Sequence, residues 1–216
     1  MTVYIEGDGF AWRTRRQLSP DPTPRHPLVM SLATLDPSSN VAYLARPCQY
    51  QKDPDPNCRP DYWSDRRFSE EVVGSMNQAL DGLKRASSSQ KIHLIGYSGG
   101  GAIAVLIAAR RSDVASLRTV AGNLDPDGVF KHHHVPRLKG SLDPLAEAAS
   151  LSALPQRHFT GTNDKTVPPF VTENFLKASG HSACVAITPV SGATHGSGWQ
   201  EEWTRLLAMP LSCTND

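Results

Sequence analysis

The chain has 216 residues, 22 lysines and arginines against 21 aspartates and glutamates, a formal net charge of +1 and 39% hydrophobic residues. This length and balance predict one domain, residues 1–216, with a single substantial core. Acidic and basic residues are interspersed, and the densest basic groups, Arg13/Arg15/Arg16 and Arg110/Arg111, are too short for a phosphate-tracking stripe, which excludes a nucleic-acid partner; no apolar run reaches the length of a membrane span.

Strand-like and helical segments alternate along the chain, the pattern of a parallel sheet with helices on both faces. The first residues, Met1 to Glu6, follow a strand pattern rather than that of a signal peptide. Strands are predicted at 2–6, 41–46, 91–97, 117–122, 156–160 and 185–190, and helices at 26–35, 65–86, 99–110, 144–152, 169–178 and 198–207. Right-handed crossovers make the sheet doubly wound, an α/β fold. The Pro-rich stretches 19–27 and 48–60 are loops on the carboxyl side of a strand, where such sheets build their sites. Cys48 and Cys58 bracket the second of these loops, and a disulfide would staple it. That bond would imply export, to the periplasm or cell envelope, with a targeting segment outside this chain; the alternative is two unpaired thiols in a cytoplasmic protein. Cys184 reads as a buried strand residue, and Cys213 carries no clear signal. The segment 123–152, with consecutive histidines at His132, His133 and His134, is predicted to be a lid or an irregular excursion; the histidines lack partners at metal-ligand spacing, and no metal is expected.

The chemistry is concentrated between Lys91 and Val105, an apolar run, Gly96-Tyr97-Ser98-Gly99-Gly100, and then an Ala-rich helix pattern. A serine on a sharp strand-to-helix turn needs small residues two positions to either side, and Gly96 and Gly100 supply them. Ser98 would then stand above the carboxyl edge of the sheet at the positive end of a helix, as an acyl-transfer nucleophile does. A serine hydroxyl needs a base, and the base needs a carboxylate. His195 lies in the Gly-rich turn Gly192-Ala193-Thr194-His195-Gly196 after the last strand, and Asp164 follows the penultimate strand in Thr162-Asn163-Asp164. The order Ser98, Asp164, His195 is the one this kind of sheet uses, with Asp125 the fallback acid. His93 reads as a structural strand residue, and His26, His158 and His181 carry no motif.

For the oxyanion, Gly99 would supply one N–H and the loop after the first strand the other, from Asp8 or, next, Gly9. The Asp8 carboxylate should point away, because negative charge beside an oxyanion is unfavourable. Phe10, Trp12, Tyr97 and Trp199 are candidates to line an acyl pocket or to serve as core.

With these residues in place the chain resembles the α/β-hydrolase superfamily, over nearly its whole length. Glu6-Gly7-Asp8-Gly9-Phe10 is similar to the His-Gly-Gly-Gly-Phe oxyanion loop of esterases, with Glu6 at the histidine position. Ala45-Arg46-Pro47-Cys48-Gln49-Tyr50, with Cys58, Tyr62-Trp63 and Arg67-Phe68-Ser69, resembles an uncharacterised set of bacterial α/β hydrolases, many of them exported or lipid-anchored, which supports the Cys48–Cys58 bond. The superfamily usually opens with antiparallel strands, whereas this sequence starts at the oxyanion strand, so either a piece precedes it or the fold is a minimal one. The expected function is carboxylic-ester hydrolysis through an acyl-enzyme, on a small-molecule ester or acyl substrate and without a cofactor. Thioesterase, peptidase and acyltransferase activity use the same residues, and a binding protein that has lost turnover is the reading from another class. A phosphate loop at 96–101 is disfavoured, since no Lys-Ser/Thr ending follows.

Overall fold

The computed structural model describes residues 1–213 apart from Arg15 and Pro54, so Arg15 of the basic group lies outside the described residues. The main sheet contains β1 (Thr2–Ile5), β4 (Val41–Leu44), β5 (Ile92–Tyr97), β6 (Val114–Val120), β7 (Gln156–Gly161) and β8 (Val185–Val190), in the order β4-β1-β5-β6-β7-β8. All of its pairings are parallel, as the alternation of elements predicts. A short antiparallel hairpin, β2 (Trp12–Thr14) with β3 (Gln17–Leu18), stands apart from it.

Strand side chains alternate between two cores, as the pleat requires. Val3 and Ile5 of β1 join a cluster with α2 (Glu70–Ala86), α3 (Gly99–Ala108), α4 (Pro126–His132) and α5 (Phe170–Ala178), whereas Tyr4 joins the opposite cluster with α1 (Leu28–Thr34) and α6 (Trp203–Leu207). The result is three layers. Every residue of α3 is buried, which is why its sequence is apolar on all sides.

Several predicted boundaries move for local reasons. Helix α2 begins at Glu70 rather than at 65, because the Ser69 side chain accepts the Val72 N–H and starts it. The stretch predicted as a helix over 144–152 tightens to a 3₁₀ turn at Pro144–Glu147. Helix α4, which periodicity does not reveal, starts at Asp125, whose side chain accepts the Gly128 N–H, followed by Pro126.

Both cysteine pairs are bonded, Cys48 with Cys58 and Cys184 with Cys213. The second pair corrects the reading of Cys184 as only a buried strand residue: it precedes β8 and ties it to the segment after α6. That segment is also strapped by arginines, with Arg118 Nη2 donating to the Leu207 and Met209 carbonyls at 3.1 and 3.0 Å and Arg157 Nη2 to Pro210 O at 2.9 Å.

Candidate active site

The strand order reverses between β1 and β5, so the loops leaving these two neighbours part at their carboxyl ends and open a crevice. Ser98, between β5 and α3, has φ 50° and ψ −121° there, a conformation that costs a non-glycine residue about 1–3 kcal/mol and persists only where surroundings enforce it. Its N–H donates to Val120 O at 3.0 Å, and its carbonyl accepts the Gly101 and Asn123 N–H groups at 3.0 and 2.9 Å. The turn is tight enough that a Cβ on Gly96 would lie 2.3 Å from Gly100 O and one on Gly100 2.3 Å from Ile5 O.

Three loops bring the predicted residues together. His195 Nε2 lies 3.0 Å from Ser98 Oγ, and His195 Nδ1 lies 2.8 Å from Asp164 Oδ2. The other oxygen of Asp164 accepts the Thr166 and Val167 N–H groups at 2.8 and 2.9 Å, so the carboxylate is buried and fixed. Asp125, the fallback acid, is occupied elsewhere: it caps α4 and accepts the Asn174 side-chain amide at 2.7 Å.

The His195 turn is held by two aromatic residues. Trp199 is completely buried and its indole N–H donates to the Thr194 and His195 carbonyls at 2.9 and 3.0 Å, so it is core and a brace, not a pocket wall. The Tyr97 hydroxyl donates to His195 O at 3.2 Å. Of the other pocket candidates, Trp12 is exposed on β2 and Phe10 lies under the Arg25 guanidinium, 3.7 Å from the ring centroid.

The loop after β1 runs beside the elbow, since Ile5 pairs with Gly96 in register. Here the Asp8 carboxylate does not point away: it rests on Gly99, where an added Cβ would meet Oδ1 at 2.1 Å. Its charge is matched by Arg46 Nη1 at 3.1 Å and Arg67 Nη1 at 2.8 Å. Burial alone would raise the Asp8 pKa, but the two guanidiniums outweigh it and hold the carboxyl below its ordinary range. Among the described residues, neither the Gly99 N–H nor the Asp8 N–H donates to another protein group. Gly9, at φ 65°, is packed against Pro22 O and the Gln49 side chain. Glu6 accepts the Gly7 N–H at 2.8 Å and the Tyr43 hydroxyl at 2.9 Å, and burial raises its pKa. The roles of Arg46, Gln49 and Arg67 escape the sequence, although all three lie in the segments that carry the closer family resemblance.

None of the three consecutive histidines hydrogen-bonds Ser98, His195 or Asp164 among the described residues. His132 packs on Phe170 with ring centroids 5.6 Å apart, and His133 Nε2 lies 2.9 Å from Thr166 O; among the described residues no group of His, Cys, Asp and Glu is arranged to hold a metal.

No protein-family model and no curated protein matches this chain. Solved structures do. An esterase from Pyrococcus furiosus is similar with a TM-score of 0.64 at 15% identity, over 95% of this chain and 80% of that one. An alpha-beta serine hydrolase homologue from Coxiella burnetii gives 0.58 at 19% identity, over 95% and 80%. Puromycin hydrolase gives 0.53 at 21% identity over 67% of this chain, which spans only 25% of that protein's chain; it spans 59% in a second structure of the Pyrococcus esterase. Together with the parallel sheet in the order β4-β1-β5-β6-β7-β8, these likenesses show that the chain has the α/β-hydrolase fold.

Proposed function

We propose that the protein is a serine hydrolase that cleaves a carboxylic ester through an acyl-enzyme. The observation that carries this reading is the continuous hydrogen-bonded line Ser98–His195–Asp164, assembled from three loops at one edge of the sheet. Ser98 Oγ attacks the acyl carbon while His195 Nε2 takes its proton, and Asp164 orients the imidazole and stabilises its charged form. The carbonyl oxygen, now negative, is met by the N–H groups of Gly99 and Asp8, which no protein group among the described residues engages. Collapse expels the alcohol with the proton from His195, and water repeats the sequence on the acyl-serine. These residues carry the steps without a cofactor. Because they do not select the leaving group, thioesters and amides share the route. The two disulfides support an exported protein, periplasmic or in the cell envelope.

The test is hydrolysis of p-nitrophenyl esters of increasing acyl length by the wild type and by Ser98→Ala, His195→Ala and Asp164→Ala. The expected outcome is turnover lowered about a thousandfold or more in the Ser98 and His195 variants, with a large loss for Asp164→Ala. Labelling of the wild type, but not of Ser98→Ala, by a fluorophosphonate accompanies it. A wild type that neither turns over nor labels favours a binding protein on this fold.

A further inference from the structure

We propose that Gln49 is a positioning residue that aims the Asp8 N–H at the oxyanion, an assignment that rests on the serine-hydrolase reading. The residue is only 5% exposed, and its side chain joins two loops. The amide nitrogen donates to Gly7 O at 3.0 Å and reaches Pro22 O at 3.5 Å, while the amide oxygen accepts the Arg46 N–H at 3.0 Å. Gly7 C=O and Asp8 N–H are the two ends of one peptide group. In a planar trans peptide they point in opposite directions, and no cis bond occurs among the described residues. A grip on the Gly7 oxygen therefore sets where the Asp8 N–H points.

The plane needs such a grip because glycines flank Asp8 on both sides and leave the backbone freer to turn there. The neighbouring peptide is fixed independently, since Glu6 holds the Gly7 N–H at 2.8 Å. The Asp8 side chain is fixed by Arg46 and Arg67. What remains, the peptide between Gly7 and Asp8, is held at its oxygen by the neutral Gln49 amide. Gln49 is itself anchored firmly. Its neighbours Cys48 and Tyr50 have φ of 69° and 58°, Cys48 is bonded to Cys58, and the Tyr50 N–H donates to Thr23 Oγ1 at 2.7 Å. A carboxylate in place of the amide would keep the bond from the Arg46 N–H but oppose the Gly7 carbonyl oxygen with a like partial charge and no donor.

The experiment compares wild type, Gln49→Glu and Gln49→Met on the preferred p-nitrophenyl ester. It also measures affinity for a trifluoromethyl ketone, which forms a tetrahedral adduct on Ser98, and for the unfluorinated ketone, which does not. The expected result is kcat lowered about tenfold to a hundredfold with KM little changed. Affinity for the trifluoromethyl ketone should weaken in step, while that for the unfluorinated ketone stays. Should Gln49→Met fail to fold, the isosteric Gln49→Glu carries the comparison. Unchanged kcat in a variant whose Ser98 still labels, or equal weakening toward both ketones, overturns the role of Gln49 alone. A wild type that turns over no ester and takes no label at Ser98 overturns the hydrolase reading and this assignment with it.

Discussion

His158 is completely buried on β7, its ring nitrogens 2.9 Å from Thr119 Oγ1 and 3.1 Å from Gln156 Oε1. Burial pushes its pKa down to about 3 from an ordinary 6.5, so the folded protein keeps the imidazole neutral where the unfolded chain would protonate it. Between these two values the unfolded state binds more protons. The contribution is therefore intact above the ordinary pKa and is lost as the pH falls toward the folded one, at up to about 1.4 kcal/mol per pH unit. Urea unfolding measured from about pH 7 down to about pH 4.5 should show this fall, and His158→Gln should flatten it while lowering stability at neutral pH. An unflattened slope in the variant would assign the dependence to other groups. Nothing in the sequence marks this histidine, because a neutral imidazole satisfied by strand neighbours leaves no motif. The residues of the proposed triad are legible for the opposite reason: the chemistry demands particular residue types, in a particular order, on turns rich in glycine. Arg46, Arg67 and Gln49 act through partners 38, 59 and 42 positions away, and such pairings are invisible until the chain is folded.

The loop between Cys48 and Cys58 rests on a small cluster of Ala11, Cys48 and Trp63, separate from the two main cores, and the Trp63 indole N–H donates to Ser19 O at 3.0 Å. With so little packing beneath it, the loop depends on its covalent link. The double variant Cys48→Ser/Cys58→Ser should lose about 2–3 kcal/mol in denaturant unfolding. An unchanged midpoint would mean that the small cluster suffices. Strands and long helices are legible because their periodicity runs over enough residues to be read; short elements are not. Helix α4 has only seven residues, with Gly128 inside it, and so leaves no repeat, although Asp125-Pro126 is a fair starting signal. The Pro-led turn at 144–147 has helical composition; Asp143 opens it by accepting the Leu145 N–H, and Ala148 and Leu151 behind it pack into the core.

Across the whole molecule, alternation of strand and helix is enough to predict a parallel sheet, but not its order. Whether β4 pairs to one side of β1 or the other is decided by which faces must be covered, and the sequence carries that only through its family resemblance. The order matters because placing β1 between β4 and β5 brings Asp8 beside Gly99. The bond between Cys184 and Cys213 has a different reach, because it turns β8, the His195 turn and α6 into a closed covalent ring. The turn at 192–198 is largely exposed, and a protease that cuts there opens the ring without freeing either piece. Clipped protein should thus run as one band without reductant and as two with it, and separation without reductant would show the ring open in solution. An exposed turn that carries the proposed base is thus one that a single cut cannot detach.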